Sequence, residues 1–361
     1  MLRQVMRIGL ICPYSLTMPG GVQSQVLALA RALRNDGHAV RVLAPCDGPP
    51  PDSGVTSLGL SLPASANGSI APVAPDPSAQ LRVIRAMRDE AFDIIHLHEP
   101  LAPGPTMTAL FTRPAPLIGT FHASGRSLSY ELMNRPVRYL ARRLDARVVV
   151  SDDARKFATK HLGGEYRVLF NGVEVVRYRQ SPAYLSERPT VLFIGRHERR
   201  KGLQVLLQAT RLLGPELRIW IAGTGPETQH LKARYSGDPR LEWLGPIDET
   251  EKIARMRGAD VFCAPSLFGE SFGLVLLEAM AAGTPVVASN ISGYANASRQ
   301  GKDAVLFPAG DHKTLAAAIT ELLRNKSRAA QLIASGNERA EEFSMARLAE
   351  LYLASYRELL G

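Results

Sequence analysis

The chain has 361 residues, of which 45% are apolar and 21% charged, so it is neither disordered nor collagen-like and is long enough for two domains. Cys12, Cys46 and Cys263 lie far apart, which excludes a disulfide framework and a clustered cysteine zinc site and suits a reducing cytoplasm. The formal net charge of +9 predicts anionic partners such as nucleotide phosphates, anionic lipids or nucleic acid.

Nucleic-acid binding and membrane insertion are both disfavoured by the sequence. No basic recognition helix, zinc finger or RNA-binding motif accompanies the charge, and only 6% of the residues are aromatic. The apolar stretch near the start, Ile8–Cys12, is too short for a signal peptide, and no apolar run approaches the ~18–20 residues that span a bilayer. We therefore expect no nucleic-acid partner, no secretion signal and no integral membrane segment.

Short β-rich runs alternate with helical patterns along the chain, which is typical of parallel sheets with crossover helices. The predicted strands of the first half are Arg7–Cys12, Val40–Ala44, Ile94–Leu97, Leu117–Phe121, Arg147–Val150 and Arg167–Phe170, with helices near 23–36, 78–90, 129–143 and 153–162. Those of the second half are Thr190–Ile194, Arg218–Ala222, Leu241–Leu244, Asp260–Ala264, Val286–Ala288 and Val305–Phe307, with helices near 203–213, 226–235, 249–257, 274–282 and 312–324. Two doubly wound α/β domains are predicted, with ligands at the carboxyl ends of the strands.

Domain boundaries are predicted from the irregular segments. The first domain spans residues 1–172, a Pro-containing polar linker spans 173–189, and the second domain spans 190–343. A final helix, Met345–Leu360 within residues 344–361, is expected to pack back on the first domain. The Pro-, Gly- and Ser-rich stretch from Pro45 to Pro77 is predicted to be a long loop.

The strongest chemical signal is the run from Glu270 to Glu278, which follows a predicted strand. Residues Phe272, Gly273 and Leu274 should form the N-terminus of a helix at the carboxyl edge of the sheet, where free amides and the helix dipole suit a phosphate. The two glutamates would then contact different parts of one extended ligand.

A basic turn, Gly195 to Gly202, follows the predicted strand ending at Ile194. Lys201 is expected at a helix start, where an unpaired cation opposes the helix dipole. Two phosphates bridged by Arg196 and Lys201 would supply the missing negative charge.

The first domain offers two further candidates at the same edge of its own sheet. Gly20 and Gly21 lie between the first strand and the first helix, where glycines allow a backbone to approach a diphosphate closely. His122 directly follows the strand Leu117–Phe121, and its place at a predicted interdomain site favours a functional role.

Taken together, these stretches resemble the retaining, nucleotide-sugar-dependent glycosyltransferases of family 4, and within them the phosphatidylinositol mannosyltransferases of actinobacteria. The resemblance extends over nearly the whole chain. The stretches that carry it begin at Cys12-Pro-Tyr-Ser, Pro19-Gly-Gly-Val, Leu97-His-Glu-Pro, Thr120-Phe-His, Val150-Ser-Asp, Asn171-Gly-Val, Arg200-Lys-Gly, Gly269-Glu-Ser-Phe-Gly and Glu278-Ala-Met-Ala-Ala-Gly-Thr. It implies the GT-B fold, in which two Rossmann-like α/β domains face a deep cleft.

The resemblance also assigns roles residue by residue. It implies that Arg196 and Lys201 bind the donor diphosphate, that Glu278 binds the ribose, and that Glu270 with the amides of 272–274 binds the sugar. Gly20 and Gly21 would close over the phosphates, and His122 would contact the sugar or the β-phosphate. With GDP-mannose as the implied donor, its guanine would bind at Ile247, Asp248 and Lys252. The acceptor would be bound by Tyr14, Gln23, Asn67 and Arg200. The implied catalytic residues are His122, Arg196, Lys201 and Glu270, with no metal and no other cofactor.

The sequence departs from the lipid mannosyltransferases on the acceptor side. Ala66 stands where they carry a tyrosine, and Pro72 stands where they carry an inositol-contacting arginine. Arg82, Arg85 and Arg88 lie beside apolar residues on a predicted helix, a pattern that can bind an anionic phospholipid surface but is also common on solvated helices. The expected location is the cytoplasm, with the protein either free there or peripheral on the inner face of the cell membrane.

The resemblance implies mannosyl transfer with retention to phosphatidylinositol or a phosphatidylinositol mannoside. Alternatives are transfer to a soluble acceptor, use of another nucleotide sugar, a sugar-nucleotide epimerase, and a non-catalytic lipid-binding module. We favour same-face attack over double displacement, because no carboxylate nucleophile is evident in the first domain.

Overall fold

The computed structural model describes residues 5–18, 20–66, 69–122, 134–270 and 272–361. The chain forms two compact units. The first contains residues 1–172 and 345–361, and the second contains residues 173–344.

The first unit is built on a parallel sheet. Its strands are β1 (Arg7–Ile11), β2 (Ala39–Ala44), β3 (Val55–Ser57), β4 (Leu62–Ala66), β5 (Ser69–Val73), β6 (Ile94–His98), β7 (Leu117–Phe121), β8 (Ala146–Val149) and β9 (Arg167–Val168). Among the described residues, seven of these form one sheet in the order β3-β2-β1-β6-β7-β8-β9, and every neighbouring pair is parallel. β4 and β5 pair separately as an antiparallel hairpin.

Helices cover both faces of this sheet, as parallel sheets require. They are α1 (Gly21–Asn35), α2 (Pro77–Glu90), α3 (Pro105–Thr112), α4 (Asn134–Ala141), α5 (Asp152–Leu162) and, after the chain has passed through the second unit, α14 (Met345–Leu360). Leu353 and Tyr356 of α14 are buried in one core cluster with Leu29 and Leu33 of α1.

The second unit repeats the plan. Its strands are β10 (Thr190–Ile194), β11 (Arg218–Ala222), β12 (Leu241–Gly245), β13 (Val261–Ala264), β14 (Val286–Ser289) and β15 (Val305–Phe307), and its helices are α6 (Val175–Gln180), α7 (Leu203–Ala209), α8 (Thr228–Arg234), α9 (Glu249–Gly258), α10 (Leu274–Ala281), α11 (Ser292–Ala297), α12 (His312–Arg324) and α13 (Lys326–Glu342). In 173–270 and 272–344 these six strands form a parallel sheet in the order β12-β11-β10-β13-β14-β15. The prediction of two doubly wound α/β units is confirmed.

The described residues correct three sequence predictions. The segment 45–77 is not a plain loop, because β3 extends the sheet beside β2 and β4–β5 form the hairpin. The segment 173–189 is not a free linker, because α6 forms within it and Val173 and Tyr178 are buried in the core of the second unit. The predicted helix at 203–213 ends at Ala209 and continues as a 3-10 turn, Thr210–Leu212.

Candidate active site

The basic turn after β10 is held against the loop that follows β13. The backbone N–H of Leu267 donates to the carbonyl of Arg200 at 2.7 Å. Gly202 has a φ of +68°, and a Cβ there would lie 1.9 Å from the carbonyl oxygen of Pro265. Only glycine therefore fits this junction, which fixes the turn 195–202 against the loop 265–270.

Glu270 is the centre of an ion-pair cluster in this loop. Its Oε1 accepts from Lys201 Nζ at 2.5 Å, from Arg200 Nη1 at 3.2 Å and from Ser266 Oγ at 3.2 Å. Ser266 also hydrogen-bonds the hydroxyl of the buried Tyr294 at 2.9 Å. The expectation that Lys201 lacks an anionic partner and begins a helix is wrong, because Glu270 pairs with it and Lys201 lies in a 3-10 turn, Arg199–Lys201, before α7.

Arg196 and Arg200 share a second carboxylate. Glu198 lies 2.7 Å from Arg200 Nε and 3.8 Å from Arg196 Nε. The Arg196 side chain is 45% exposed, more than those of Arg200 and Lys201. Of these three cations, Arg196 is therefore the freest to bind an anion from solution.

Helix α10 begins beside this cluster. Gly273 precedes it with a φ of +74°, which a residue with a Cβ rarely adopts, and no described side chain caps the helix. The first helical residue is Leu274, in agreement with the predicted start. The backbone amides at this end, which no side chain of the described residues caps, suit the predicted phosphate or sugar oxygens.

Glu278 lies about one turn into α10, rather than the two turns of the helix predicted from residue 272, and belongs to a largely buried cluster. Lys252 Nζ lies 3.0 Å from Glu278 Oε1 and 3.0 Å from Glu249 Oε2, and the hydroxyl of Tyr178 donates to Glu249 at 3.4 Å. Burial alone would lower the pKa of Lys252, but the two carboxylates raise it overall. Burial raises the pKa of Glu278, and Lys252 opposes that rise.

The three residues assigned to the guanine pocket have different surroundings. Asp248 Oδ1 accepts from the backbone N–H of Glu251 at 2.8 Å and so caps α9. Ile247 is partly buried, and Lys252 is directed at the two carboxylates described above. The structure thus brings Lys252 together with Glu278, whereas the carboxylate of Asp248 is occupied by its own helix.

In the first unit, the glycine pair lies at the start of α1. The side chain of Gln23 is buried, and its amide nitrogen donates to the carbonyls of Ser15 and Met18 at 3.4 Å each. A Cβ at Gly20 would lie 2.2 Å from Gln23 Oε1, whereas no described atom lies within 4 Å of the position of a Cβ at Gly21. Gln23 thus fixes the preceding loop, and Gly21 is the more open of the two glycines.

The predicted acceptor residues are only partly described. Tyr14 forms an isolated bridge with Val73 of β5, and burial together with the nearby Glu99 carboxylate raises its pKa. The carbonyl of Pro72 accepts from the backbone N–H of Ser15 at 2.9 Å. Asn67 lies outside the described residues. Arg200 belongs to the cluster around Glu270 in the second unit.

His122 ends a stack of histidine rings at the carboxyl ends of β6 and β7. His98 Nδ1 lies 3.0 Å from His122 Nε2, and the ring centroids of His96 and His98 are 4.3 Å apart. The backbone N–H of His122 donates to Glu99 Oε1 at 2.7 Å, and Glu99 has a φ of +50°. Burial lowers the pKa of His96 to about 3 and that of His122 to about 4, so these rings are neutral at pH 7.

Sequence reasoning did not assign several residues that hold this chemistry in place. They are His96, His98, Glu99, Tyr178, Glu198, Glu249, Ser266 and Tyr294. The histidines had a readable signal, since His96 and His98 are two residues apart on one strand and therefore share a face. The pairing of Glu270 with Lys201 had no such signal, because the two residues are 69 positions apart in the chain.

Comparisons with known proteins agree with this architecture. Residues 19–177 match the family model "Glycosyltransferase Family 4", and residues 177–339 match "Glycosyl transferases group 1". A protein of Mycobacterium leprae named phosphatidyl-myo-inositol mannosyltransferase is 41% identical over an alignment of 366 positions. The alignment covers 97% of this chain and 96% of that protein.

Solved structures share the fold. Sucrose-phosphate synthase from Thermosynechococcus elongatus superposes with a TM-score of 0.76 at 22% identity, over 98% of this chain and 99% of that one. Anabaena Alr3699/HepE in complex with UDP-glucose gives a TM-score of 0.72 at 19% identity, over 98% and 100% of the two chains. The chain therefore belongs to glycosyltransferase family 4, has the predicted GT-B fold and is a glycosyl-transferring enzyme.

Proposed function

We propose that the enzyme transfers mannose from GDP-mannose to the inositol ring of phosphatidylinositol, or of a phosphatidylinositol mannoside, with retention at the anomeric carbon. The observation that carries the proposal is the cation cluster around Glu270 at the start of α10, in a chain 41% identical to a mycobacterial protein named for this transfer.

The donor would lie along the carboxyl ends of β10 and β13. Arg196 and Lys201 would bind the diphosphate together with the amides of 272–274, because these groups combine positive charge with backbone donors at a helix N-terminus. Glu278 would bind the ribose hydroxyls, and Gly20 and Gly21 would close over the phosphates. Ile247 and Lys252 would border the guanine.

In the proposed reaction, the acceptor hydroxyl oxygen forms a bond to C1 of mannose as the bond from C1 to the β-phosphate oxygen breaks. The bonding electron pair leaves with GDP, and the departing phosphate takes the proton of the attacking hydroxyl. Arg196, Lys201 and the helix amides stabilise the charge that develops on the phosphate.

This route is same-face attack rather than double displacement. Glu270 is paired with both Lys201 and Arg200, which makes its carboxylate a weak nucleophile. Mass spectrometry of the enzyme quenched during turnover should find no mannosyl adduct, and an adduct on Glu270 would contradict the route.

No metal is needed in this proposal, because Arg196 and Lys201 provide the charge that a metal ion would otherwise bring to the diphosphate. Turnover in a strong chelator should equal turnover without it. A loss that magnesium or manganese restores would refute this part of the proposal.

Helix α2 is the proposed membrane contact. Leu81 is 68% exposed and Ile84 is 39% exposed, and the side chains of Arg85 and Arg88 are both more than three-quarters exposed. Arg82 instead donates to the carbonyl of Leu58 at 3.0 Å, and Asp89 lies within 3.7 Å of both exposed arginines. Two cations with an acidic neighbour would bind the inner face of the cell membrane weakly. Among the described helices, none is both long and apolar enough to cross a bilayer.

A second candidate is transfer from another nucleotide sugar or to a soluble acceptor, which the departures at Ala66 and Pro72 favour. The test incubates the protein with GDP-mannose, UDP-glucose or UDP-N-acetylglucosamine against phosphatidylinositol vesicles or soluble polyols. Products are identified by mass spectrometry. Mannosylated phosphatidylinositol supports the proposal, whereas transfer to polyols alone rejects the lipid acceptor.

A further inference from the structure

We infer that His98 is a positioning residue for His122, and that it acts by donating a hydrogen bond from Nδ1 to Nε2 of His122. The inference rests on the proposed function only in that His122 is taken to contact the transferred sugar, one of the two donor groups that the family resemblance implies for it. The bond itself can be tested without any substrate.

The position of the shared proton decides which of the two rings is the donor. His98 Nδ1 and His122 Nε2 are 3.0 Å apart, so one of these nitrogens carries the proton between them. His98 is 2% exposed, and its Nε2 has no hydrogen-bond partner among the described residues. If His122 donated, His98 would have to carry its own proton on this buried, unpartnered Nε2.

A buried donor without an acceptor is among the rarest features of folded proteins. The alternative arrangement leaves only an unfilled lone pair at His98 Nε2. The geometry therefore assigns the proton to His98 Nδ1, which makes His122 Nε2 the acceptor and leaves the proton of the neutral His122 ring on its Nδ1. Burial, with smaller contributions from His96 and His122, lowers the pKa of His98, in agreement with a neutral ring.

The ring of His98 is held rigidly by its neighbours. His98 is stacked between the rings of His96 and His122, at centroid distances of 4.3 Å and 5.2 Å. His96 is itself fixed from both sides, by Tyr356 of α14 at 2.8 Å and by Thr120 of β7 at 2.7 Å. His98 therefore lies in a fixed ring plane and presents its donor in one direction.

The residue next to His98 holds the main chain of His122. The carboxylate of Glu99, the residue after His98, accepts from the backbone N–H of His122. Glu99 adopts a φ of +50°, which is uncommon for a residue other than glycine and persists where surrounding contacts enforce it. His98 and Glu99 thus fix the ring and the main chain of His122 separately.

The direct test is histidine-selective ¹⁵N NMR of the wild-type protein, with signals assigned from the spectra of His98→Phe and His122→Gln. The inference predicts that both His98 and His122 carry the proton on Nδ1. A spectrum with the His98 proton on Nε2 would overturn it, whatever the enzyme transfers.

The functional test uses His98→Phe, which keeps an aromatic ring in the stack and removes the donor. We expect kcat for sugar transfer to fall roughly 3- to 10-fold, the size of one lost hydrogen bond, with GDP affinity unchanged because GDP lacks the transferred mannosyl group. The exposed His230, changed to Gln, serves as the control. A wild-type kcat in His98→Phe would refute the inference, whereas wild-type protein that binds no GDP would refute the proposed function instead.

Discussion

The two units place polar groups at the carboxyl ends of their strands in opposite ways. In the first unit, His96, His98 and His122 are buried as neutral rings that hydrogen-bond one another and nearby hydroxyls. In the second unit, Glu270 and Glu278 remain beside cations, in contact with Lys201 and Lys252. The first arrangement avoids charge through lowered pKa values, and the second compensates charge through pairing. We therefore expect the stability of the first unit to depend on pH. We expect the activity and ligand affinity of the second unit to depend on single charged side chains.

The largest effect is expected from Lys201→Met. This change removes the cation 2.5 Å from Glu270 and one proposed contact to the leaving diphosphate. Turnover should fall by ~10²–10³-fold, as for other losses of a group that stabilises transition-state charge. The neighbouring exposed cation Arg199, changed to Met, should leave kcat near wild type. Equal activity of the two variants would show that the Lys201 cation beside Glu270 is not needed for sugar transfer.

Lys252→Met should have the next largest effect. It leaves Glu278 without its cation in a site where burial already raises the pKa of that carboxyl group. GDP affinity measured by calorimetry should fall roughly 10- to 100-fold, because a hydrogen bond to a charged group contributes about 1.5–3 kcal/mol. Lys313→Met, at an exposed position, is the matched control. Unchanged affinity in Lys252→Met would show that Glu278 needs no partner.

The histidine stack should make stability depend on pH. Folding lowers the pKa of His96 from 6.5 to about 3 and that of His122 from 6.5 to about 4. Between the folded and unfolded values the unfolded chain binds more protons, so the contribution to stability is present above pH 6.5 and is lost as the pH falls. The free energy of unfolding should decrease between pH 7 and pH 5 by about 2 kcal/mol for each such ring.

Urea unfolding at several pH values measures this slope. His98→Phe should reduce it, since one buried histidine is gone, and His230→Gln should not. A slope that is the same in all three proteins would mean that carboxylates, rather than the stack, control acid sensitivity.

The smallest effect is expected from Tyr356→Phe, which removes the hydroxyl 2.8 Å from His96 Nδ1. One neutral hydrogen bond contributes about 1 kcal/mol to the free energy of unfolding. The exposed Tyr139, changed to Phe, should alter stability by less than ~0.5 kcal/mol. If the free energy of unfolding changed no more in Tyr356→Phe than in this control, the hydrogen bond between α14 and His96 would make no contribution to stability.

The strands were predictable because their apolar runs are short and almost continuous, as in the β10 sequence Thr-Val-Leu-Phe-Ile. Helix α13 was not predicted, because its buried positions Ala329, Leu332, Gly336 and Ala340 are mostly small and give a weak apolar period. Helix α6 was missed for a related reason, since a Pro-containing polar segment looks like a linker until Tyr178 is seen in the core.

For the candidate site, the residues that follow each strand could be predicted from the sequence, but the side chains that pair with them could not. The start of α10 at Leu274 could be predicted from local spacing. The pairing of Glu270 with Lys201, and of Glu278 with Lys252, depends on which strands become neighbours in the sheet. Such long-range contacts cannot be read from spacing in a single sequence.

The discontinuity of the first unit affects how the protein is made. During synthesis, residues 5–172 leave the ribosome well before α14, and their core lacks Leu353 and Tyr356 until the entire second unit has been translated. The nascent first unit must therefore keep an apolar groove beside α1 open for the time it takes to add more than 170 residues, which exposes it to aggregation or chaperone binding. Ribosome-bound chains arrested before residue 345 should accordingly be cleaved by protease in the first unit much faster than the finished protein.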